Sequence, residues 1–165
     1  MHGVELKKLI FALTTMVGCL SAAAGWDYES DTDKMTGKSS SRADVTSSNK
    51  LDFDFPYKGE NTGNLTIRKH PRYGQQVILS ITKGQMLCNS YDCAVLIKFD
   101  NEQPRRYPGT GPADHNTTTI FIGNEPQFIA NVKKAKTIFI QFNAYHNGSP
   151  ILEFSTPQPL EWPRK

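Results

Sequence analysis

Residues 63–99 read GNLTIRKHPRYGQQVILSITKGQMLCNSYDCAVLIKF, and their pattern decides the fold. Runs at 65–68, 77–82 and 94–99 are dense in β-branched and large apolar side chains, with Tyr73-Gly74 between the first two. Such runs, bounded by turn residues, read as strands. Working outward, 51–55 alternates apolar and acidic residues up to Pro56, and 118–122, 137–143 and 151–154 repeat the strand composition. Pro108-Gly109, Gly111-Pro112 and Asn147-Gly148 punctuate them, the last predicting a tight hairpin turn. The expected fold is all-β: an antiparallel β-sandwich of about seven to nine strands with one short helix. Irregular strand lengths and connections favour the sandwich over a closed barrel.

Lys83-Gly84 leaves two topologies open. In the favoured one, 76–88 is a single long strand with a bulge at Gly84, since glycine inside a strand often marks a bulge. The chain then turns beyond Cys88 and returns along 94–99. In the other, Lys83-Gly84 is itself a hairpin turn.

One segment departs from strand composition. Asn124-Glu125-Pro126 resembles a helix start, with Asn able to cap and Pro tolerated in the first turn. Phe128, Ile129, Val132 and Ala135 share a helical face, and Lys133, Lys134 and Lys136 gather near the negative end of the dipole. A helix of two to three turns with this start, near Phe128 to Lys136 and packed over one sheet edge, is expected.

The N-terminus reads differently from the rest. Lys7 and Lys8 precede an almost uncharged apolar run at 9–20, followed by Ser21-Ala22-Ala23-Ala24-Gly25. That is the layout of a secretory signal peptide, and it is shorter than the roughly 20 apolar residues that span a bilayer. Cleavage after Ala24 frees a chain starting at Gly25. Met16-Val17-Gly18-Cys19 also resembles a lipobox, so lipidation at Cys19 is the alternative, with the acyl chains as membrane anchor. The expected organisation is a signal peptide over 1–24, a polar serine-rich segment over 25–50 with one or two short strands, and a sandwich core over 51–165. Localisation is outside the cytoplasm, either periplasmic or tethered to the outer membrane.

The formal net charge of +3 gives no strong pull towards nucleic acid. Cys88 and Cys93 form an isolated close pair, which in an oxidising compartment reads as a disulfide tying the ends of a hairpin. No further Cys or His lies at a zinc spacing, and no cofactor is implied.

Catalytic patterns are weak. His70, His115 and His146 lack a suitably placed partner, no serine sits in a Gly-x-Ser-x-Gly elbow, and Met35-Thr36-Gly37-Lys38 is only a fragment of a phosphate loop. Asp52 and Asp54 stand about 7 Å apart on one strand face. That overlaps the spacing of glycosidase acids, but the alternation with Leu51, Phe53 and Phe55 is what a solvated strand face looks like. The binding candidates are Arg72, Tyr73, Arg105, Arg106 and Tyr107, which repeat an Arg-Tyr pairing in two loops framed by Pro and Gly. Arg supplies a bidentate fork and Tyr a rigid amphipathic face, so the expected ligand is anionic. The favoured topology places both segments at one end of the fold.

The runs at 65–68, 76–81 and 95–100, followed by Thr119-Ile120-Phe121-Ile122-Gly123-Asn124-Glu125-Pro126, resemble the core of the VasI/TagO family of exported proteins associated with type VI secretion. Phe128-Ile129, the lysines that follow, Leu152-Glu153-Phe154, Trp26 and Asp33-Lys34-Met35 extend the similarity. Cys88, Cys93, Arg105-Arg106 and Leu160-Glu161-Trp162 lie outside it. The resemblance implies an exported protein and names no catalytic residue. The expected function is therefore a non-enzymatic binding or accessory protein of the bacterial envelope, associated with a secretion system. Its partner would be another envelope protein or an anionic envelope component. The alternative is a hydrolase of cell-wall glycan, or an inhibitor of one.

Overall fold

The computed structural model describes residues 25–163 except Ser90. The expected signal peptide and Cys19 lie outside the described residues. Eleven strands and one helix follow in the order β1 (Asp27–Thr32), β2 (Ser39–Thr46), β3 (Leu51–Phe53), β4 (Gly59–Asn61), β5 (Gly63–His70), β6 (Gly74–Ile81), β7 (Ala94–Phe99), β8 (Arg105–Thr110), β9 (Thr119–Ile122), α1 (Glu125–Val132), β10 (Thr137–Gln141) and β11 (Ile151–Ser155). Nine of the strands form one antiparallel sheet, ordered β1-β2-β5-β6-β9-β8-β7-β10-β11, while β3 and β4 pair separately. The result is an open, sandwich-like all-β fold, as the sequence predicts.

Alternation of side chains explains how one sheet becomes two layers. Along β5 and β6, Leu65, Ile67, Val77 and Leu79 face inward and are fully buried, while Asn64, Thr66, Ile78 and Ser80 alternate outward. β7 and β10 contribute Ile97, Ile138 and Ile140 from the other layer. β8 joins the layers, because its start pairs with β7 and Gly109 and Thr110 pair with β9. The far edge is held back against the first layer. Ser48 donates its N–H to the Glu153 carbonyl at 2.7 Å, and the Asn49 side chain accepts from the Glu153 N–H at 2.8 Å and donates to the Ile151 carbonyl at 2.9 Å. A Cβ on Gly63 would fall 2.3 Å from the Leu152 side chain, so this approach of the two layers requires glycine.

The favoured topology for 76–88 does not form. β6 ends at Ile81, and the chain turns over Thr82, Lys83 and Gly84, the last at φ +112°. The turn is fixed by buried Asn61, whose Oδ1 accepts from the Thr82 hydroxyl at 2.6 Å and the Lys83 N–H at 3.2 Å. Met86 then donates its N–H to the Thr117 carbonyl and bridges Ala144, and Leu87 donates to Asn143. Since β7 lies antiparallel to β10 in the same sense, 86–88 and 94–99 run in the same direction. The Cys88–Cys93 disulfide is present, with Cα atoms 4.3 Å apart. It pinches off a loop between these two like-directed segments and does not tie the ends of a hairpin.

The helix starts where the sequence places it and stops sooner. Asn124 sits at φ +57° with no side-chain cap bond, and α1 ends at Val132, so the three lysines lie beyond its last turn. Phe128, Ile129 and Val132 are buried. Phe128 packs edge-on to Phe99 and Tyr107, with centroids 5.7 and 5.9 Å away, plugging one end of the core. The polar segment over 25–50, expected to hold one or two short strands, supplies β1 and β2, and both belong to the main sheet.

Candidate functional site

The five predicted binding residues divide into three environments. Arg72 and Tyr73 occupy the turn between β5 and β6. The Arg72 guanidinium lies 5.4 Å from the Tyr73 ring centre, and that ring stacks on His70 at 4.8 Å. Tyr73 remains exposed. Arg105 and Arg106 lie on a strand, not in a loop, because β8 begins at Arg105. Each meets a carboxylate: Arg105 stands 3.6 Å from Glu102, and Arg106 pairs with Asp92 of the disulfide loop. Tyr107 is only 2% exposed, lies between Phe99 and Phe128, and its hydroxyl accepts from Asn131 at 3.2 Å. It belongs to the core and cannot reach a ligand. Strand alternation is the cause: Arg106 and Tyr107 are neighbours on β8, so they point to opposite faces.

Register places the β5–β6 and β7–β8 turns at the same end of the strand array, since β6 and β8 both run antiparallel to β9. Arg106 lines a shallow concavity with Tyr91, Asp92 and Pro108, to which Arg72 and Tyr73 do not contribute.

The larger concavity lies beside the Arg72 turn. There the inward side of β1, β2 and β5 continues past the core, and its chemistry changes. Tyr28, Ala43, Ile67 and Val77 form one cross-strand row facing the core. The row two residues further out is Ser30, Ser41, Lys69 and Gln75. Beyond it Thr32 and Ser39 pair, with their hydroxyl oxygens 2.8 Å apart. The C-terminal tail supplies the opposing wall, since Trp162 donates its indole N–H to the Gln75 side chain at 3.1 Å and Glu161 donates its N–H to the Tyr28 hydroxyl at 2.9 Å. A cleft of about 560 Å³ results, within the usual range for small-ligand sites of about 300–1,000 Å³.

Charge in this cleft is uneven. Arg42 is held by Glu29 at 2.7 Å and by Asp44 at 3.0 Å. The Lys69 ammonium is exposed, and no ion pair engages it among the described residues. At the hairpin tip, the backbone N–H groups of Thr36 and Met35 bond the Asp33 carboxylate and hold its pKa below the usual value. This fixes the turn joining the two strands that floor the cleft.

The sequence points to Arg72 and Tyr73, which do not line the cleft, and sequence reasoning missed the cleft itself. The available signal was alternation in 39–45, where Ser39, Ser41, Ala43 and Val45 share one face. The pairing of that face with Trp162, more than a hundred residues later, leaves no local trace.

Among the described residues, no three His, Cys, Asp or Glu side chains converge to hold a metal ion, and no helix is long and apolar enough to cross a membrane. Compared with family models, curated proteins and solved structures, the chain matches none of them.

Proposed function

We propose that this chain is an exported, non-enzymatic binding module of the bacterial envelope that receives its ligand in the cleft between the β1–β2 hairpin and the C-terminal tail. The cleft is the observation that carries the reading. It is concave, fixed on both sides by hydrogen-bonded elements, and lined by hydroxyls, the Arg42–Glu29 pair and Lys69, which no ion pair engages among the described residues. The formed disulfide and the signal-like N-terminus support export. Resemblance of the strand and helix sequences to the VasI/TagO family supports an accessory role beside a secretion machine. Lipidation at Cys19 would tether the same domain to a membrane.

The test is site-specific photo-crosslinking in intact envelopes of a bacterial host producing the full chain. A crosslinker at Ser41, on the cleft floor, should give a defined adduct, whereas one at Leu96, on the outer face of the other layer, should not. Cell fractionation should place the chain outside the cytoplasm with Cys88 and Cys93 oxidised. Cytosolic protein with two free thiols, or equal adducts from both positions, would overturn the proposal.

A further inference from the structure

We infer that the cleft takes a glycan segment bearing carboxylate groups. The inference rests on the cleft being the ligand site, as proposed above, and adds the chemistry of the occupant. Ser and Thr hydroxyls both donate and accept hydrogen bonds, as sugar hydroxyls do. Ser30, Thr32, Ser39 and Ser41 present four of them on one side of a single hairpin. These positions continue the inward side of the strands beyond the core, where a row of hydroxyls offers hydrogen bonds to a polar occupant.

Tyr28, half-buried, borders this floor with part of its ring, and the edge of buried Trp162 closes it. Amphipathic rings of this kind suit a ligand with apolar faces and polar edges. A sugar ring has that shape.

Lys69 sets the sign. Among the described residues it is the cleft cation that no ion pair engages, while Arg42 is held by Glu29 and Asp44. Arg72 stands at the adjacent turn, so a longer chain leaving the cleft meets a second cation. An acidic peptide satisfies Lys69 equally well but fits its surroundings less well. Peptide recognition at a sheet adds a strand at its edge, and the edge strand beside this cleft among the described residues, β1, carries Asp27, Glu29 and Asp31. Those carboxylates repel an acidic strand.

Titration calorimetry on the full chain, with its disulfide intact, tests this directly. The probes are a galacturonate tetrasaccharide, a muramic-acid-containing disaccharide, neutral chitotetraose and an Asp/Glu-rich hexapeptide. At least one acidic saccharide should bind, and chitotetraose should bind at least tenfold more weakly. Lys69→Gln should weaken the acidic saccharide tenfold or more, and Ser39→Val with Ser41→Val should do the same. Arg105→Ala with Arg106→Ala should leave affinity unchanged. Raising salt should weaken binding in the wild type and much less in Lys69→Gln. Circular dichroism and unfolding curves establish that each variant is folded. If neither acidic saccharide binds folded wild-type protein, if the hexapeptide binds more tightly, or if Lys69→Gln has no effect, the glycan assignment falls. Should Ser41 crosslinking persist in that case, only the ligand class is lost; should it vanish too, the binding-module reading falls with it.

Discussion

At the scale of single residues, the fold depends on a few polar side chains that hold backbone in unusual places. Asp100 follows β7 at φ +45°, a conformation open mainly to Gly, Asn and Asp. Its carboxylate accepts from the N–H groups of Lys136 at 3.0 Å and Thr137 at 2.8 Å, so one side chain fixes where β10 starts. Asp100→Ala would remove the Oδ1 acceptor of both bonds and keep the strained φ. It should cost about 2–3 kcal/mol, from roughly 1 kcal/mol per lost bond plus the left-handed penalty. Asp100→Asn keeps an acceptor oxygen and tolerates the same φ, and should stay within about 1 kcal/mol of wild type. Denaturant unfolding at constant m-value measures both. Equal losses for the two variants would show that the carboxylate charge, and not the acceptor geometry, is what matters.

At the scale of elements, legibility followed the local pattern. β5, β6, β7 and β9 were readable because their apolar alternation lies within each run. The start of the helix was readable because Asn-Glu-Pro is a local signal, but its length was not. Phe128, Ile129 and Val132 suffice to plug the core end, and the lysines then leave the helix. Segment 82–93 was misread because its turn depends on Asn61, from a different strand pair. Gly84 could serve a bulge or a turn, and only the tertiary partner decides. A Cβ there would lie 2.7 Å from the Phe53 ring at φ +112°, so Gly84→Ala meets both a steric and a conformational penalty. Cys88 and Cys93 close a short loop between segments already fixed by pairing to Thr117, Asn143 and β10. Replacing both by Ser should therefore lower stability by about 2 kcal/mol, the value for closing a short loop, without changing topology. Calorimetry together with amide exchange of β7 would measure it; loss of β7 protection under native conditions would mean that the disulfide holds the strand itself.

At the scale of the whole molecule, an open nine-stranded sheet has two ends to secure, and the C-terminal tail ties the layers where local sequence gives no warning. Leaving β11, the chain anchors at Thr156, whose N–H and hydroxyl donate to the carbonyls of Lys136 at 2.7 Å and Ala135 at 3.0 Å. It then crosses to the first layer, burying Leu160 and Trp162 and reaching Gln75 on β6 and Tyr28 on β1. The tail thus acts as a strap over the core and as a wall of the cleft, so the proposed binding would be coupled to stability through it. Trp162→Ala should cost about 3–5 kcal/mol, the usual loss for truncating a buried Trp. Trp162→Phe retains most of the apolar burial but orphans the Gln75 acceptor, so a loss nearer 1–2 kcal/mol is expected. Because the strap bridges layers, the effect should be directional. Amide exchange should quicken first in β1 and β2, next to the lost wall, while β7 and β10 keep their protection. Binding to the Ser41 face should weaken in Trp162→Phe by more than its stability loss explains, since that variant remains folded. Uniform acceleration of exchange across both layers would make the tail an ordinary part of the core. Unchanged exchange in β1 would leave the cleft standing without its wall.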